Sequence, residues 1–337
     1  MNFAMWKKAL TVIPNVSKQE WDGLDVISKW LISTRAAVLV MTFISAALAG
    51  LFAWRAGSFS FVPWIALALG LILAHASNNI FNDYTDYVRG VDKDNYYRTL
   101  YGTQPVADGL MTKRQHLTYF AVTGLIALVF GLYLIWYTGF SATTWILLGL
   151  GAFFVLFYTW PLKGMAMGEL AVLIVWGPLM IGGGYYVLTG KWDWNVTIAS
   201  LPYVLGVTTV IFGKHIDKII LDTKKGIHTL PVVIGEKAAR YSVLAMMIVP
   251  YLLTAYLIAT KFFTPFMAIV LLAIPAFLKI YPVFLKPKPE TAPEGQLGWP
   301  LFFVGYAFFN NRKFGSLFML GLLVDAVLRI FLPAFWR

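Results

Sequence analysis

Nine stretches of this chain are apolar over about the 20 residues that an α-helix needs to cross a bilayer. They lie at 36–54, 61–80, 117–137, 143–160, 168–189, 196–213, 240–260, 264–285 and 314–332. Composition agrees with that reading. The 337 residues are 59% hydrophobic and 13% charged, with a mean hydropathy of +0.70, whereas a soluble domain carries roughly 25% charged residues. Such a chain lacks the polar surface to cover itself in water. The expected fold is all-α, an integral membrane bundle of nine transmembrane helices.

The net charge of +11 raises the question of a nucleic-acid partner, but its distribution answers otherwise. Of 27 Lys and Arg residues, all except Arg55, Lys191, Lys261, Arg329 and Arg337 fall in the N-terminal segment or after the even-numbered spans. By the positive-inside rule those parts are cytoplasmic and the C-terminus is outside. No nucleic-acid binding is expected. Cysteine is absent, which excludes disulfides and thiolate chemistry.

Residues 298–311 are apolar but only about 14 residues long, which predicts an interfacial or re-entrant helix in place of a span. Residues 1–35 form a separate N-terminal segment before a transmembrane domain at 36–337. That segment carries no signal peptide, being amphipathic and polar. Within it Ser17 and Glu20 make a capping-box pattern. The helix that follows places Trp21, Leu24, Ile27, Trp30 and Leu31 at helical spacing, as for a helix lying along the membrane surface. Asp325 and Arg329, four apart on the last span, are expected to pair.

Two loops, 82–115 and 214–237, are polar and follow the second and sixth spans. Each opens with acidic residues at the end of a span, a spacing that suggests an internal duplication. In the first, Asn79, Asn82, Asp83 and Asp86 fall within an arc of roughly 100° on a helix, so they point into one space. Carboxylates and amides at the end of an apolar helix are costly unless paired, wet or bound to a cation. Convergent hard oxygens suit Mg²⁺, which takes one or two carboxylates with phosphate oxygens and water. The plainer reading is a helix end that faces water. The second cluster argues against it.

That second cluster holds Asp217 and Asp222. Two acidic clusters on one side of the membrane would repel unless a cation intervenes. Mg²⁺, in two ions, bridging both to a diphosphate removes the conflict and stabilises the charge that builds as a C–O bond breaks. Basic residues close by in sequence could assist: Arg89, Lys93, Arg98, Lys163, Lys214, Lys218, Lys224 and Lys225. For most of them a positive-inside lysine is the simpler reading. Lys163 and Lys214 stand out because each abuts a span end beside other polar residues.

Three blocks resemble the UbiA superfamily of membrane prenyltransferases. The first runs Asn82-Asp83-Tyr84-Thr85-Asp86-Tyr87-Val88-Arg89-Gly90-Val91-Asp92, followed by Gly109-Leu110 and Arg114-Gln115. It is similar to the 1,4-dihydroxy-2-naphthoate polyprenyltransferases of the menaquinone branch. The second is Tyr158-Thr159-Trp160-Pro161, then Gly168-Glu169 and Gly182-Gly183-Gly184-Tyr185-Tyr186. The third is Asp222 followed by Gly226-Ile227-His228-Thr229-Leu230-Pro231-Val232. The resemblance implies nine helices around a central cavity capped by the two cytoplasmic loops. It implies Mg²⁺-dependent transfer of a polyprenyl group from its diphosphate to an aromatic acceptor, with Tyr158 among the diphosphate-binding residues. Aromatic residues, 17% of the chain, could line a prenyl tunnel and offer π-faces to a cation, although Trp and Tyr are enriched at membrane interfaces anyway.

The chain also departs from the pattern. The usual second motif spaces its carboxylates as DxxxD; Asp217 and Asp222 are five apart, roughly 140° around a helix. Either the helix unwinds near Asp222 or only one of the two binds metal. Glu169 could orient the acceptor or merely sit at the interface. Arg35 could reach the diphosphate or serve as a snorkelling anchor. His116 and His228 lack metal-ligand partners and are expected to be structural. Other acceptors (homogentisate, a glycerophosphate ether, phosphoribose), a terpene cyclase and, from another class, a transporter are the competing readings. The motifs sit at helix ends, which does not favour a transporter's midplane site.

Overall fold

The computed structural model describes residues 1–91, 102–294 and 299–332, and its regular structure is helical throughout them. Helix is what lipid requires, since each backbone N–H and C=O must be satisfied within its own segment. Three short helices lead: α1 (Phe3–Thr11), α2 (Lys18–Asp22) and α3 (Val26–Ser33). Then come α4 (Val40–Arg55), α5 (Phe61–Val88), α6 (Lys113–Tyr137) and α7 (Ala142–Phe157). The remainder is α8 (Gly168–Thr189), α9 (Trp194–Asp217), α10 (Ile219–Lys224), α11 (Leu230–Ile234), α12 (Glu236–Ala259), α13 (Pro265–Leu285) and α14 (Phe303–Phe331).

Among the described residues eight helices are long and apolar enough to cross a membrane: α4 with the turn that leads into it (Ala36–Arg55, 20 residues), α5, α6, α8, α9, α12, α13 and α14. The ninth expected span appears as α7, which is apolar but has 16 residues. At 1.5 Å per residue it reaches about 24 Å. It stops at Phe157 because Pro161 disfavours helical backbone at Trp160 just before it. A second correction concerns residues 298–311. They are no separate re-entrant helix; from Phe303 they are the first turns of α14, 29 residues long. Asn310 to Lys313 are polar but include no proline, so the helix runs through them.

The chain divides into two compact units. The first comprises residues 1–46 and 62–161. The Ser17–Glu20 capping box forms as expected. The single surface helix does not. Gly23 ends α2, and Asp25 starts α3 as a second cap, its carboxylate accepting the Ser28 N–H at 2.9 Å. Asp25 also accepts the Asn2 N–H at 2.6 Å and Trp6 Nε1–H at 3.1 Å, which ties down α1. The Ser28 amide above all holds the Asp25 carboxyl well below the usual aspartate range. Trp21, Leu24 and Leu31 are buried with Ala9, Ala76, Leu110 and Met111, while Ile27 stays exposed. The N-terminal segment therefore packs into this unit's core.

The second unit comprises residues 47–61 and those from 162 onward. Its core gathers Phe212 and Ile216 of α9, Val243 and Met247 of α12, Phe284 of α13, and Phe303 and Ala307 of α14. In α8 the turns widen to i→i+5 bonding over Val175–Gly183, around Pro178, whose ring nitrogen has no proton to give. Asp325 on α14 is fully buried. It accepts the Thr264 N–H at 2.6 Å and pairs with Arg55 Nη1 at 3.2 Å. The expected partner Arg329 is present too, its Nε 3.7 Å away. Breaking a buried pair by deleting one member leaves a stranded charge worth about 3–5 kcal/mol. Asp325→Ala is therefore expected to lower the thermal midpoint in detergent sharply, and Asp325→Asn less so.

Candidate functional site

The first acidic cluster lies on the last two turns of α5, in the first unit. Asn79, Asn82, Asp83 and Asp86 are all buried, sharing one helix face as their spacing predicts. Each amide is aimed by the protein. Asn79 Nδ2 donates to the Thr34 carbonyl at 2.9 Å. A carbonyl can only accept, so the amide nitrogen must be the group there. Its oxygen is thereby left on the opposite side. Asn82 Nδ2 donates to Thr159 Oγ1 at 2.8 Å, bringing in the block that follows α7. Asn78 Nδ2 donates to the Val155 carbonyl at 2.9 Å, a further bond between α5 and α7. Residues 34 and 35 thus touch two cluster members, since the Arg35 guanidinium pairs with Asp83.

Arg35 adopts a left-handed backbone, φ 53°. For a residue with a Cβ this conformation costs of order 1–3 kcal/mol, and such strain is concentrated at functional sites. The guanidinium is neither a snorkelling anchor nor spent on one oxygen: its five donors leave several available. Tyr158, following α7, is half-buried and Arg89 is exposed. The Arg89 guanidinium stacks 5.0 Å from the centre of the Trp160 ring. His116, fully buried, bonds the Ile80 carbonyl at 2.9 Å through Nε2, the structural role expected of it. Lys93, Arg98 and Asp92 lie outside the described residues.

The second cluster is in the second unit. Here α9 ends at Asp217, Lys218 leaves helical geometry, and α10 begins at Ile219. The break separates the two carboxylates. Asp217 turns to the start of α14, where its oxygens accept the N–H groups of Phe303 at 3.0 Å and Val304 at 3.1 Å. Lys288 Nζ lies 3.3 Å from the same carboxylate. Gly213 makes this possible: a Cβ there would sit 2.9 Å from Val304 Cα and N, so only glycine admits α14 so close to α9. Asp217 is thereby a helix cap fully used by the protein. This weighs against the metal role its sequence position suggests.

Asp222 is different. It is buried, its Oδ1 lies 3.1 Å from Lys218 Nζ, and its Oδ2 is buried without a hydrogen-bond partner among the described residues. A buried carboxylate oxygen left unsatisfied is costly and calls for a cation or donor. Among the described residues no three His, Asp or Glu side chains gather into a metal cage. Mg²⁺ needs none, binding through one or two carboxylates with substrate phosphates and water. The donor types at Asn79, Asn82, Asp83 and Asp86 in the first unit fit that ion, and so, separately, does the Asp222 carboxylate in the second. Lys163 and Lys214 are half-buried, Lys214 on the last turn of α9.

Glu169, at the start of α8, is buried at 1% exposure. Its Oε1 lies 2.6 Å from His215 Nδ1, and its Oε2 accepts the Leu230 N–H at 3.4 Å. His228 is held by its backbone, its carbonyl accepting the Ala166 N–H at 2.8 Å. Sequence reasoning missed the roles of His215, Lys288 and Thr159. His215 gave little signal, being one polar side chain among others in the last turn of α9, beside Lys214 and Asp217.

Comparison with known proteins now bears on this geometry. The chain is 27% identical over 304 residues to the 1,4-dihydroxy-2-naphthoate octaprenyltransferase of Escherichia coli, covering 82% of this chain and 93% of that protein. It is 25% identical to the UbiA prenyltransferase domain-containing protein 1 homolog of Drosophila melanogaster, covering 68% of this chain and 62% of that protein. The chain thus spans less than two thirds of that longer relative. Among solved structures it is similar to a digeranylgeranylglyceryl phosphate synthase, with TM-score 0.60 at 16% identity over 89% of this chain and 98% of that one. It is also similar to a UbiA homolog from Archaeoglobus fulgidus bound to GPP and Mg²⁺, with TM-score 0.52 at 14% identity over 84% and 99%. At such identities these two likenesses speak for the fold. Residues 43–311 match the UbiA prenyltransferase family. With most of its length matched and an all-helical membrane fold of the same kind, this chain belongs to the UbiA prenyltransferase family.

Proposed function

We propose that this protein transfers a polyprenyl group from a polyprenyl diphosphate to an aromatic quinone precursor, 1,4-dihydroxy-2-naphthoate or a close analogue, with Mg²⁺ as cofactor. The observation that carries the reading is the buried oxygen face of α5: Asn79, Asn82, Asp83 and Asp86, each buried at the end of an apolar span. Such a face is costly in a membrane protein unless it is paired, wet or bound to a cation; Arg35 meets Asp83, and Mg²⁺ would meet the converging oxygens. The acceptor assignment draws on the Escherichia coli relative, whose length the alignment nearly spans.

When bound, Mg²⁺ would supply positive charge to diphosphate oxygens and to the departing diphosphate. Asn79 and Asn82 present oxygens because their nitrogens are tied to Thr34 and Thr159. Arg35 orients Asp83 and keeps donors for phosphate. In the second motif Asp222 supplies the carboxylate and Lys218 beside it a donor. Tyr158, Lys163, Lys214 and Arg89, with Lys93 and Arg98, are the further diphosphate-binding candidates. The reaction breaks the allylic C–O bond, forms a bond from the prenyl carbon to an acceptor ring carbon, and releases that carbon's proton. The N-terminus and both motifs are assigned to the cytoplasmic side by the charge distribution.

The test of the acceptor is a panel assay with purified protein, Mg²⁺ and a long-chain prenyl diphosphate. Naphthoate, homogentisate and a glycerophosphate ether are offered separately, with products identified by mass spectrometry. A prenylated naphthoate is expected. Transfer to the glycerophosphate ether alone would overturn the acceptor while leaving the diphosphate chemistry intact.

A further inference from the structure

The geometry points to Glu169 as a positioning residue, a clasp that closes the base of the loop carrying Asp222. The inference rests on the reading of Asp222 as a diphosphate-site carboxylate. Residues 216–229 hold Lys218 and Asp222, and the loop is entered at His215 and left at Leu230. One carboxylate bonds both of these gateposts, His215 through Oε1 at 2.6 Å and the Leu230 amide through Oε2 at 3.4 Å. The Ala166 amide adds a third stitch, to the His228 carbonyl at 2.8 Å. The short segment before and into α8 thus pins both ends of a loop that follows it by 46 to 61 residues.

The loop needs such pinning. Asp222 sits on α10, a helix of six residues, far below the ~12–15 at which a helix has stability of its own. Gly226 turns the chain through a left-handed conformation, φ 66°, and the backbone then returns to Leu230. Where Asp222 stands is therefore decided by what holds the loop's ends. Glu169 is poorly placed to meet an acceptor molecule. Both its oxygens are engaged and the side chain is 1% exposed, and a carboxyl at that depth is tolerated because those partners meet it. It acts through the loop.

Opening the clasp should then weaken the diphosphate end of catalysis and leave acceptor affinity alone. The test compares the wild type with Glu169→Ala, His215→Leu and His215→Asn in the full chain. Asparagine can place an amide N–H near the position of imidazole Nδ1 and donate to Glu169; leucine cannot. Two readouts are taken: hydrogen exchange of peptides spanning 216–230 and 79–88, and separate KM values for prenyl diphosphate and acceptor. In Glu169→Ala and His215→Leu, exchange across 216–230 is expected to quicken about tenfold or more, with 79–88 unchanged. The KM for prenyl diphosphate should rise about tenfold and that for acceptor should stay put. His215→Asn should restore both readouts.

Wild-type exchange in 216–230 of Glu169→Ala, or a rise confined to acceptor KM, would overturn the clasp. If Glu169→Ala does not fold, the leucine and asparagine variants of His215 decide the matter alone. Exchange needs no turnover, so it judges the clasp even if the wild type consumes no prenyl diphosphate; that outcome would count against the proposed function instead.

Discussion

Asp86→Ala is expected to lower kcat about 10³-fold or more while the protein remains folded. The carboxylate is buried on the last turns of α5, on the same face as Asn79, Asn82 and Asp83. Metal-assisted stabilisation of a leaving group is worth several kcal/mol. Losing about 4 kcal/mol at the transition state costs roughly three powers of ten. Asp83 is a mixed probe. Removing Asp83 strands the Arg35 guanidinium, which pairs with it, so a lost activity there would mix chemistry with stability. Initial rates under saturating substrate, read beside a thermal melt, check the prediction. A variant within tenfold of wild type would remove Asp86 from the site.

The two carboxylates of the second motif are expected to fail in different ways. Asp222→Asn should cut kcat about 10²–10³-fold, the usual range for removing one preorganised electrostatic group, with a moderate loss of stability from weakening the Oδ1–Lys218 pair. Its Oδ2 has no hydrogen-bond partner among the described residues, so folding gains little from that oxygen. Asp217→Ala should do the reverse. It uncaps Phe303 and Val304 on α14 and takes one carboxylate away from Lys288. Loss of a cap costs about 1–2 kcal/mol, and the half-buried lysine adds to that. Turnover should persist at temperatures where Asp217→Ala remains folded. Melts and low-temperature rates of both variants decide it: a stable but inactive Asp217→Ala would return Asp217 to the metal site.

The contrast shows where the sequence was readable. The oxygen face of α5 follows from helical periodicity alone, because all its members lie within eight residues of one regular helix. The five-residue spacing of Asp217 and Asp222 already required either a break in the helix or a single metal-binding carboxylate. What it could not reveal is the start of α14, 86 residues downstream of Asp217, whose amides claim that carboxylate. Gly213 was the only local trace of the close approach. Arg35 was equally opaque, since its reach to Asp83 depends on a left-handed turn that no residue type there announces. Glu169 and His215 looked like isolated polar residues at span ends; their bond joins α8 to α9, and single-helix patterns carry no such information. The stretch at 298–311 was misjudged by length alone, where continuity of α14 through its polar step settled the matter.

The most direct test of the central claim is diphosphate release. Purified protein is given a polyprenyl diphosphate and naphthoate, and free diphosphate is measured with Mg²⁺, with EDTA, and with Asp86→Ala replacing the wild type. Release that is brisk with Mg²⁺, abolished by EDTA and reduced about 10³-fold in the variant is the expected result. Release by wild type and Asp86→Ala at equal rates, or release indifferent to EDTA, would contradict it.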